Sequence, residues 1–454
     1  MAQRNHCLVN HFPTSMHTTT VFTQLQEAFS RHISSLSTTH DWQKVQQEAY
    51  RTFQKLGLPH AKTEAYKNTP ITSVLSEKFN LSDVPIALDE PSEEIEALLQ
   101  QSFDSYPIVL VNGMISKRYT PINLLHPSFQ VYTFDEAYTQ HPDLLMKHFD
   151  QCASDKLDIF TFINTALFKT GIMIYIPDNV VLDKTLHIYN ITDAATQKAI
   201  SYPRLLIVTG KNSQLSIINS WHTLGENEGF TNAVTDIIVG PYTQLDCYTL
   251  QTQLGNACQI NNIHYYQAEH SVVNNYAFSW DGMLIRNNLH IVIQASHAEA
   301  NMYGLYCLNN TQHIDNHTLV DHQQPHTASN ELYKGIIGGN ATGVFNGRIY
   351  VQPEAQKTNA FQANNNILLS DQATIHTKPQ LEIWADDVKC SHGATIGQLD
   401  ESQLFYLQSR GIPEGLAKHM LLESFADEVI SKINLLPLQK YLRKDFKDQI
   451  SRLA

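Results

Sequence analysis

Residues 234–293 read VTDIIVGPYTQLDCYTLQTQLGNACQINNIHYYQAEHSVVNNYAFSWDGMLIRNNLHIVI, a run of short apolar segments separated by turn residues. Their starts lie about 9 to 18 residues apart, at Val234–Val239, Leu245–Leu250, Ile263–Tyr266, Val272–Phe278 and Leu289–Ile293. No amphipathic helical pattern intervenes, which excludes alternating β-α units. A β-sandwich pair, a barrel or a β-solenoid remains.

The same pattern begins at Ile172 and continues to Trp384, so it covers more than 200 residues. A stretch of this length favours stacking over a single sandwich, because each turn of a solenoid buries its inner face on the next turn. No hexapeptide repeat marks the turns. The sequence therefore predicts a mainly β chain and favours a β-solenoid.

Helical patterns flank this β region. Val21–Leu56 carries apolar residues at helical spacing, and helical stretches lie near Phe134–Phe149 and Lys156–Lys169. Between them, β-forming residues around Asn112-Gly113 predict an isolated hairpin. After Gly397 the sequence predicts short amphipathic helices that either pack on the β region or dock a partner. The predicted division is 1–170 helical, 171–397 β and 398–454 helical.

Composition narrows the function. The formal charge of −13 argues against nucleic acid as a partner. No apolar stretch approaches the roughly 18 residues of a membrane span, and the first twenty residues lack the apolar core of a secretory signal. The cysteines lack paired spacing and predict reduced thiols in the cytoplasm; they are Cys7, Cys152, Cys247, Cys258, Cys307 and Cys390.

One short motif carries soft-metal chemistry: Cys390-Ser391-His392-Gly393. On an extended backbone Cys390 and His392 project from one face and can approach a common point. Thiolate and imidazole suit iron–sulfur species, zinc or copper. Two donors do not close a site, so a second chain or a transient ligand would complete it. The alternative is a buried cysteine beside a surface histidine.

A second cluster consists of His313, His317, His322 and His326. Four histidines in 14 residues raise the possibility of a metal site. The surrounding Asp, Asn and Pro residues instead indicate solenoid corners, where hydrogen bonding in turns is the favoured role. No phosphate-binding loop, Gly-x-Ser-x-Gly or HExxH motif is present, which argues against a nucleotide hydrolase.

Longer strings resemble a known family. KPQLEIWADDVKCSHGATIGQLDESQLFYLQSRG (378–411), VDHQQPHTASNELYKGII (320–337) and GLPHAKTEAYKNT (57–69) closely resemble the SufB/SufD family of iron–sulfur cluster assembly proteins. SufB relatives carry a cysteine at the position of Asn364 and Val-Glu-His-Glu-Ala-Thr where this chain has Cys390–Thr395. The chain therefore resembles the SufD members of the family.

The resemblance implies a right-handed parallel β-helix between an N-terminal α-rich region and a C-terminal helical segment. It implies a non-catalytic scaffold that pairs with a SufB-like subunit through the β-helix ends, and two copies of the ATPase SufC on the C-terminal helices. His392 would face the SufB cysteine, with Cys390 nearby. This chain alone would hold no stable cofactor, and a transient Fe–S cluster would form in the complex. Whether the complex also uses a flavin is left open.

Two alternatives remain. A chain of this type could act as a homodimeric scaffold through isologous pairing of a β-helix edge. A β-helix carbohydrate-active enzyme would need paired carboxylates in a cleft and usually a secretion signal. The tight acidic pair in the late strands, Asp386-Asp387, consists of sequence neighbours, which argues against that enzyme.

Overall fold

The computed structural model describes residues 16–35, 41–60, 62–82, 91–100, 103–120, 127–151 and 158–452. Within these ranges the chain forms N-terminal helices, a long stack of parallel strands and three C-terminal helices. Cys7, Cys152 and residues 1–15 of the segment considered as a secretory signal lie outside the described residues. No helix in the described ranges has both the length and the apolar character that crossing a membrane requires.

The strands of the described part form two sheets. In chain order they are β1 (Ser105–Val111), β2 (Met114–Ile115), β3 (Gln130–Thr133), β4 (Gly171–Ile176), β5 (Thr185–Asp193), β6 (Ala199–Ser201), β7 (Arg204–Thr209), β8 (Gln214–Leu224), β9 (Gly229–Val239), β10 (Gln244–Gln253), β11 (Cys258–Gln267), β12 (Val272–Ser279), β13 (Leu284–Ile293), β14 (Glu299–Leu308), β15 (His313–His322), β16 (Ala328–Ile337), β17 (Thr342–Val351), β18 (Asn359–Leu368), β19 (Thr374–Ile383) and β20 (Lys389–Gly397).

Successive turns of the chain add one strand to each sheet. In the described part, eight strands of the first sheet (β5, β8, β10, β12, β14, β16, β18, β20) and eight of the second (β4, β7, β9, β11, β13, β15, β17, β19) follow one another in parallel pairing. The chain thus makes about eight turns of a parallel β-solenoid. The predicted mainly β fold is confirmed.

The interior explains why the strands stack. Parallel in-register pairing places each inward side chain on the equivalent residue of the next turn. Leu245, Val273 and Ala300 occupy one such position in β10, β12 and β14, and all three are buried. Burying an aliphatic side chain stabilises the fold by roughly 1.5–3 kcal/mol relative to exposure. A continuous apolar core therefore runs along the solenoid axis.

One corner of the solenoid carries a column of rings. Residues with positive φ of 54–61° lie in the turns before successive strands; they are Tyr242, His270, His297, His326 and Lys357. The ring centroids from Tyr242 to His326 are spaced 4.8, 4.8 and 5.1 Å, with nearly parallel planes. Backbone bonds between turns, such as His326 N–H to the Gln356 carbonyl at 2.9 Å, help to hold this unusual conformation.

The N-terminal part covers the outer face of the second sheet. Its helices are α1 (Met16–Ser35), α2 (Asp41–Leu56), α3 (Ile71–Lys78), α4 (Glu93–Gln100), α5 (Phe134–Gln140), α6 (Pro142–Gln151) and α7 (Ile159–Leu167), with a 3₁₀ turn at Glu64–Tyr66. The amide of Asn164 in α7 donates to the carbonyl oxygens of Pro203 and Asn232, at 2.9 and 2.7 Å. Apolar packing and these bonds fix α7 against β9.

A buried ion pair fastens the 3₁₀ turn to the same sheet. Arg286 in β13 pairs with Asp315 in β15, and both side chains are almost fully buried. Asp315 also accepts a hydrogen bond from the Thr69 hydroxyl at 2.6 Å, and the Arg286 guanidinium lies 3.8 Å from the centre of the Tyr66 ring. Asp315 and Arg286 of the solenoid therefore hold residues 57–69 against the second sheet through Thr69 and Tyr66.

The predicted hairpin exists, but it is not isolated. β1 and β2 pair antiparallel around Asn112 and Gly113, which have positive φ values of 49° and 80°. β1 also pairs in parallel with β5 over its whole length. The side chains of Ile108 and Leu110 pack in the core inside the solenoid. The backbone of β1 supplies a hydrogen-bonding partner to the edge of β5.

The C-terminal helices are α8 (Glu401–Ser409), α9 (Glu414–Ile430) and α10 (Leu436–Ile450). α9 and α10 bury one face each on the first sheet, and Lys334 of β16 pairs with Glu428 of α9. Packing on the β region, one of the two predicted roles, is thus observed for these two helices. The division at residues 170 and 397 stays a prediction; β4 begins at Gly171 and β20 ends at Gly397.

Candidate functional site

The solenoid finishes in an uncovered turn formed by β19 and β20, here called the open end. β19 pairs with β17 and β20 pairs with β18, and the described part of the chain places no strand beyond either. A Cβ added at Gly393 or Gly397 of β20 would meet nothing within 4 Å. The outer edges of both strands therefore offer free backbone N–H and C=O groups, which form a template for another chain.

At the open end, apolar side chains are exposed at positions that are buried in the preceding turn. Ile396 and Ile383 occupy the positions that Asn366 and Val351 hold one turn earlier. Asn366 and Val351 are buried, whereas Ile396 is 52% exposed and Ile383 is 37% exposed. Trp384 beside them is 64% exposed. Exposed apolar groups next to free strand edges mark a surface that a partner would cover.

Cys390 and His392 both lie on the inward face of β20. Their register partners in β18 are Ala360 and Gln362, which are buried inside the solenoid. The predicted i, i+2 arrangement of the thiol and imidazole is therefore present, and it falls at the open end. That the pair contacts a metal stays a prediction.

The surroundings of the two side chains differ. Cys390 is partly buried and packs with Ala360, Ile349 and Leu381. This burial raises the pKa of the Cys390 thiol, although a hydrogen bond with the Ala360 backbone acts in the opposite direction. His392 is exposed. The imidazole of His392 is thus open to a ligand from outside, whereas the Cys390 thiol must first lose a proton.

Cys390 and His392 can supply two donor atoms to a metal, which is fewer than a complete site needs. Nitrogen from imidazole and sulfur from thiolate are both donors for iron. Among the described residues, no group of three or more His, Cys, Asp and Glu side chains is placed to hold a metal ion. A metal at Cys390 and His392 would therefore need further donors from another molecule.

A second exposed surface lies on α8 and the start of α9. Asp400 caps α8 by accepting from the backbone N–H of Ser402 and Gln403, yet α8 buries none of its side chains. Phe405 is 72% exposed and Tyr406 is 57% exposed. Exposed aromatic side chains on a well-formed helix favour a docking role for α8.

The four histidines of the second cluster do not converge. His322 faces the interior and bonds with Thr327 and Ser329, at 2.8 and 2.9 Å. Burial lowers the pKa of His322 to about 4. His313 and His317 lie on the opposite face of β15 beside Asp315, and His326 belongs to the corner column. The favoured prediction of hydrogen bonding holds for His322, but its placement in a turn was wrong, because His313, His317 and His322 lie within a strand.

These features together define a class: a parallel β-solenoid with helices packed on the outer faces of its sheets, one open end and an exposed C-terminal helix. Comparison with known proteins agrees with this description. Residues 190–425 match the family described as SUF system FeS cluster assembly, SufBD core domain, and residues 16–188 match the SufBD protein N-terminal region. The chain belongs to the SufBD family, whose role is iron–sulfur cluster assembly.

Two relatives illustrate the similarity. An iron–sulfur cluster assembly SufBD family protein of Synechocystis sp. is 30% identical over 397 residues, which cover 86% of this chain and 87% of the relative. The iron–sulfur cluster assembly protein SufD of Escherichia coli is 27% identical over 379 residues, 83% of this chain and 85% of the relative. The similarity thus extends over most of each protein.

Sequence reasoning missed several residues of the open end. Ile396 and Trp384 were not singled out, and neither were Gln362 and Glu331, which lie behind His392. Alternation along β20 was an available signal, because Cys390, His392 and Ile396 share one face. The residues behind His392 needed the register between turns.

Proposed function

We propose that this chain is a non-catalytic scaffold subunit that pairs with a SufB-like subunit through the open end. A nascent iron–sulfur cluster would form as cargo where the two chains meet. The observation that carries the proposal is the last turn itself, in which Ile396 and Ile383 are exposed at positions that are buried one turn earlier. Covering it would bury these side chains and pair both strand edges.

Within this proposal His392 is the principal contact with iron. A ring nitrogen either donates its lone pair to the metal or carries a proton to or from the forming cluster. Cys390 is a secondary donor, because its partly buried thiol carries a raised pKa. Asn364 supports the assignment to the SufD side of the pair. Its amide donates inside the solenoid to Tyr306 Oη at 3.1 Å and to the Tyr333 carbonyl at 3.3 Å, where SufB relatives carry a cysteine.

The pairing is tested by Ile396→Glu, which places a charge where apolar cover is required. We expect the dissociation constant for a SufB-like subunit to rise at least about thirtyfold, the effect of losing roughly 2 kcal/mol at a buried contact. Isothermal titration calorimetry measures it. Val181→Glu is the matched control, since Val181 is 65% exposed and lies near β5, in the first turns of the solenoid. Equal affinities for all three chains would refute pairing at the open end.

We also propose that an ATPase of the SufC type docks on α8 and the start of α9. Phe405→Ala combined with Tyr406→Ala should reduce ATPase retained in a co-purification at least about tenfold, because aromatic anchors dominate such contacts. Leu436→Ala is the control, since Leu436 is 62% exposed at the start of α10. Pairing with the SufB-like subunit should survive. Full retention of the ATPase by the α8 variant would contradict the docking site.

Self-association is the second candidate, and the free edges of β19 and β20 support it. Two copies could join their open ends by isologous pairing when no other subunit is present. Light scattering after size exclusion measures the mass of the chain alone and with a SufB-like subunit. If the chain alone is a homodimer, Ile396→Glu should dissociate it, and adding a SufB-like subunit should convert it into a heterodimer. Both results together would support one shared surface for the two partners.

We place this assembly in the cytoplasm. The described cysteines, Cys247, Cys258, Cys307 and Cys390, are free thiols. Unpaired thiols are typical of a reducing compartment, and iron–sulfur chemistry requires thiols in that state.

A further inference from the structure

A column of polar side chains lies inside the solenoid directly behind His392. His392, Gln362 and Glu331 occupy the same position in β20, β18 and β16. Gln362 and Glu331 are each 4% exposed, so both are buried inside the solenoid. One turn further in, the position is held by Met302, which ends the column.

Within this column the inner residue accepts a hydrogen bond from the outer one. Gln362 Nε2 donates to Glu331 Oε2 at 2.6 Å. The other carboxyl oxygen, Glu331 Oε1, is buried without a hydrogen-bond partner among the described residues. Among the residues that the structure describes, Gln362 Oε1 is buried without a hydrogen-bond partner. Leaving such a buried acceptor unpaired is unfavourable, so a donor that reaches Gln362 Oε1 would stabilise the column.

The missing side chain at Gly347 makes room for the Gln362 amide. Gly347 lies across the solenoid in β17, and a Cβ added there would overlap the side-chain amide of Gln362. A larger residue at position 347 would therefore displace Gln362 from its bond with Glu331. The glycine makes the polar column geometrically possible.

The charges that could act on His392 from inside the solenoid are few. On the inward faces of β16, β18 and β20, the titratable groups are Glu331, Tyr333, Cys390 and His392 itself. The inward residues of the facing strand β19 are Ile375, Thr377, Pro379, Leu381 and Ile383. Burial raises the pKa of Glu331 to about 7, so its carboxyl changes charge in the same range as an imidazole.

We propose that Gln362 and Glu331 are positioning residues for His392: Gln362 Oε1 accepts the N–H of one imidazole nitrogen, and Glu331 holds the Gln362 amide in the orientation that this bond requires. The nitrogen that donates to Gln362 carries the proton. The other nitrogen then presents its lone pair away from the solenoid, toward whatever covers the open end. The tautomer of His392 is thus set before iron or a partner arrives.

This inference deepens the proposed role of His392, yet it is measured without cluster assembly. The full chain is labelled with ¹⁵N-histidine, and ring nitrogen shifts are recorded by NMR from pH 5 to 8. His392→Gln identifies the signal among the 22 histidines. The parental chain should show one dominant His392 tautomer. Gln362→Leu should give a mixture of both tautomers, because the acceptor is lost.

Glu331 variants separate position from charge. In Glu331→Gln the new amide oxygen still accepts from Gln362, so the single tautomer should persist although the charge is lost. Glu331→Leu removes the acceptor for the Gln362 amide and should mix the tautomers. Glu354→Gln, which removes an exposed carboxylate, should leave the tautomer unchanged.

Gly347→Ala provides a variant that keeps Gln362 and Glu331 and only displaces the amide. It should mix the tautomers as Gln362→Leu does. If the His392 tautomer stays parental in folded Gln362→Leu and Gly347→Ala, the positioning role is wrong. If the tautomer changes while His392→Ala assembles clusters at the parental rate, the positioning role stands and the proposed function fails.

Discussion

Replacing His392 with alanine should lower the rate of iron–sulfur cluster assembly by at least about tenfold, the loss expected when a residue that contacts or orients a metal is removed. The side chain is exposed on the last strand of the solenoid, so its removal leaves no cavity in the core. The melting temperature should therefore stay within about 1 °C of the parental value. The reconstituted complex with SufB-like and SufC-like subunits, followed by absorption spectra under anaerobic conditions, measures the rate.

Ser391→Ala is the matched control, because Ser391 is the neighbouring exposed residue of β20 and has its side chain on the opposite face of the strand. It should assemble clusters at the parental rate. Parental assembly by the His392→Ala complex would remove His392 from the mechanism. Cys390→Ala should have the smaller effect of the two site variants, because the Cys390 thiol is protonated at neutral pH.

The largest effect on stability is expected for Asp315→Asn, which should lower the free energy of unfolding by about 3–5 kcal/mol. The variant leaves the guanidinium of Arg286 buried without its counter-ion, and it weakens the contact with His317 at 2.9 Å. Chemical denaturation at pH 7 measures the loss. Glu382→Gln is the control: its partner Arg348 is 43% exposed, and a surface pair contributes no more than about 1 kcal/mol.

The same pair makes a pH-dependent contribution. Burial alone would raise the pKa of Asp315, but His317 and Arg286 outweigh it and hold that pKa well below its ordinary value. A carboxylate with a lowered native pKa stabilises the fold above its unfolded value of about 3.9, and the contribution is lost as pH falls below it. The difference between the parental chain and Asp315→Asn should therefore shrink between pH 5 and pH 3. A constant difference would contradict this account.

Much of the fold could be predicted because its signals are local. Short apolar segments between turn residues identify strands, and their number favours a solenoid over a sandwich. The Asn112-Gly113 turn and the amphipathic helices after Gly397 are equally local and were predicted. The role of β1 was not, because its pairing with β5 joins residues that are about 80 apart in the chain.

The candidate site was predicted only in part, for the same reason. Cys390 and His392 are two residues apart and could be found by their chemistry. The residues behind them belong to other turns of the solenoid. Equivalent positions lie 27 to 31 residues apart, at Leu245, Val273, Ala300, Ser329, Ala360 and Cys390. Because the corners differ in length, no fixed period marks this repeat, and the alignment of Glu331 and Gln362 with His392 emerges only from the strand register.

The two ends of the solenoid differ, and this difference limits how far the protein can assemble. At the beginning, each sheet is closed by an antiparallel strand, β2 on β1 and β3 on β4. At the other end, within the described residues, β19 and β20 have no further strand beside them. A stack of parallel strands with two free ends could add copies head to tail and grow into a filament. With a single open end, end-to-end pairing of solenoids would stop after one partner, so the strand edges would give a discrete particle and not a filament.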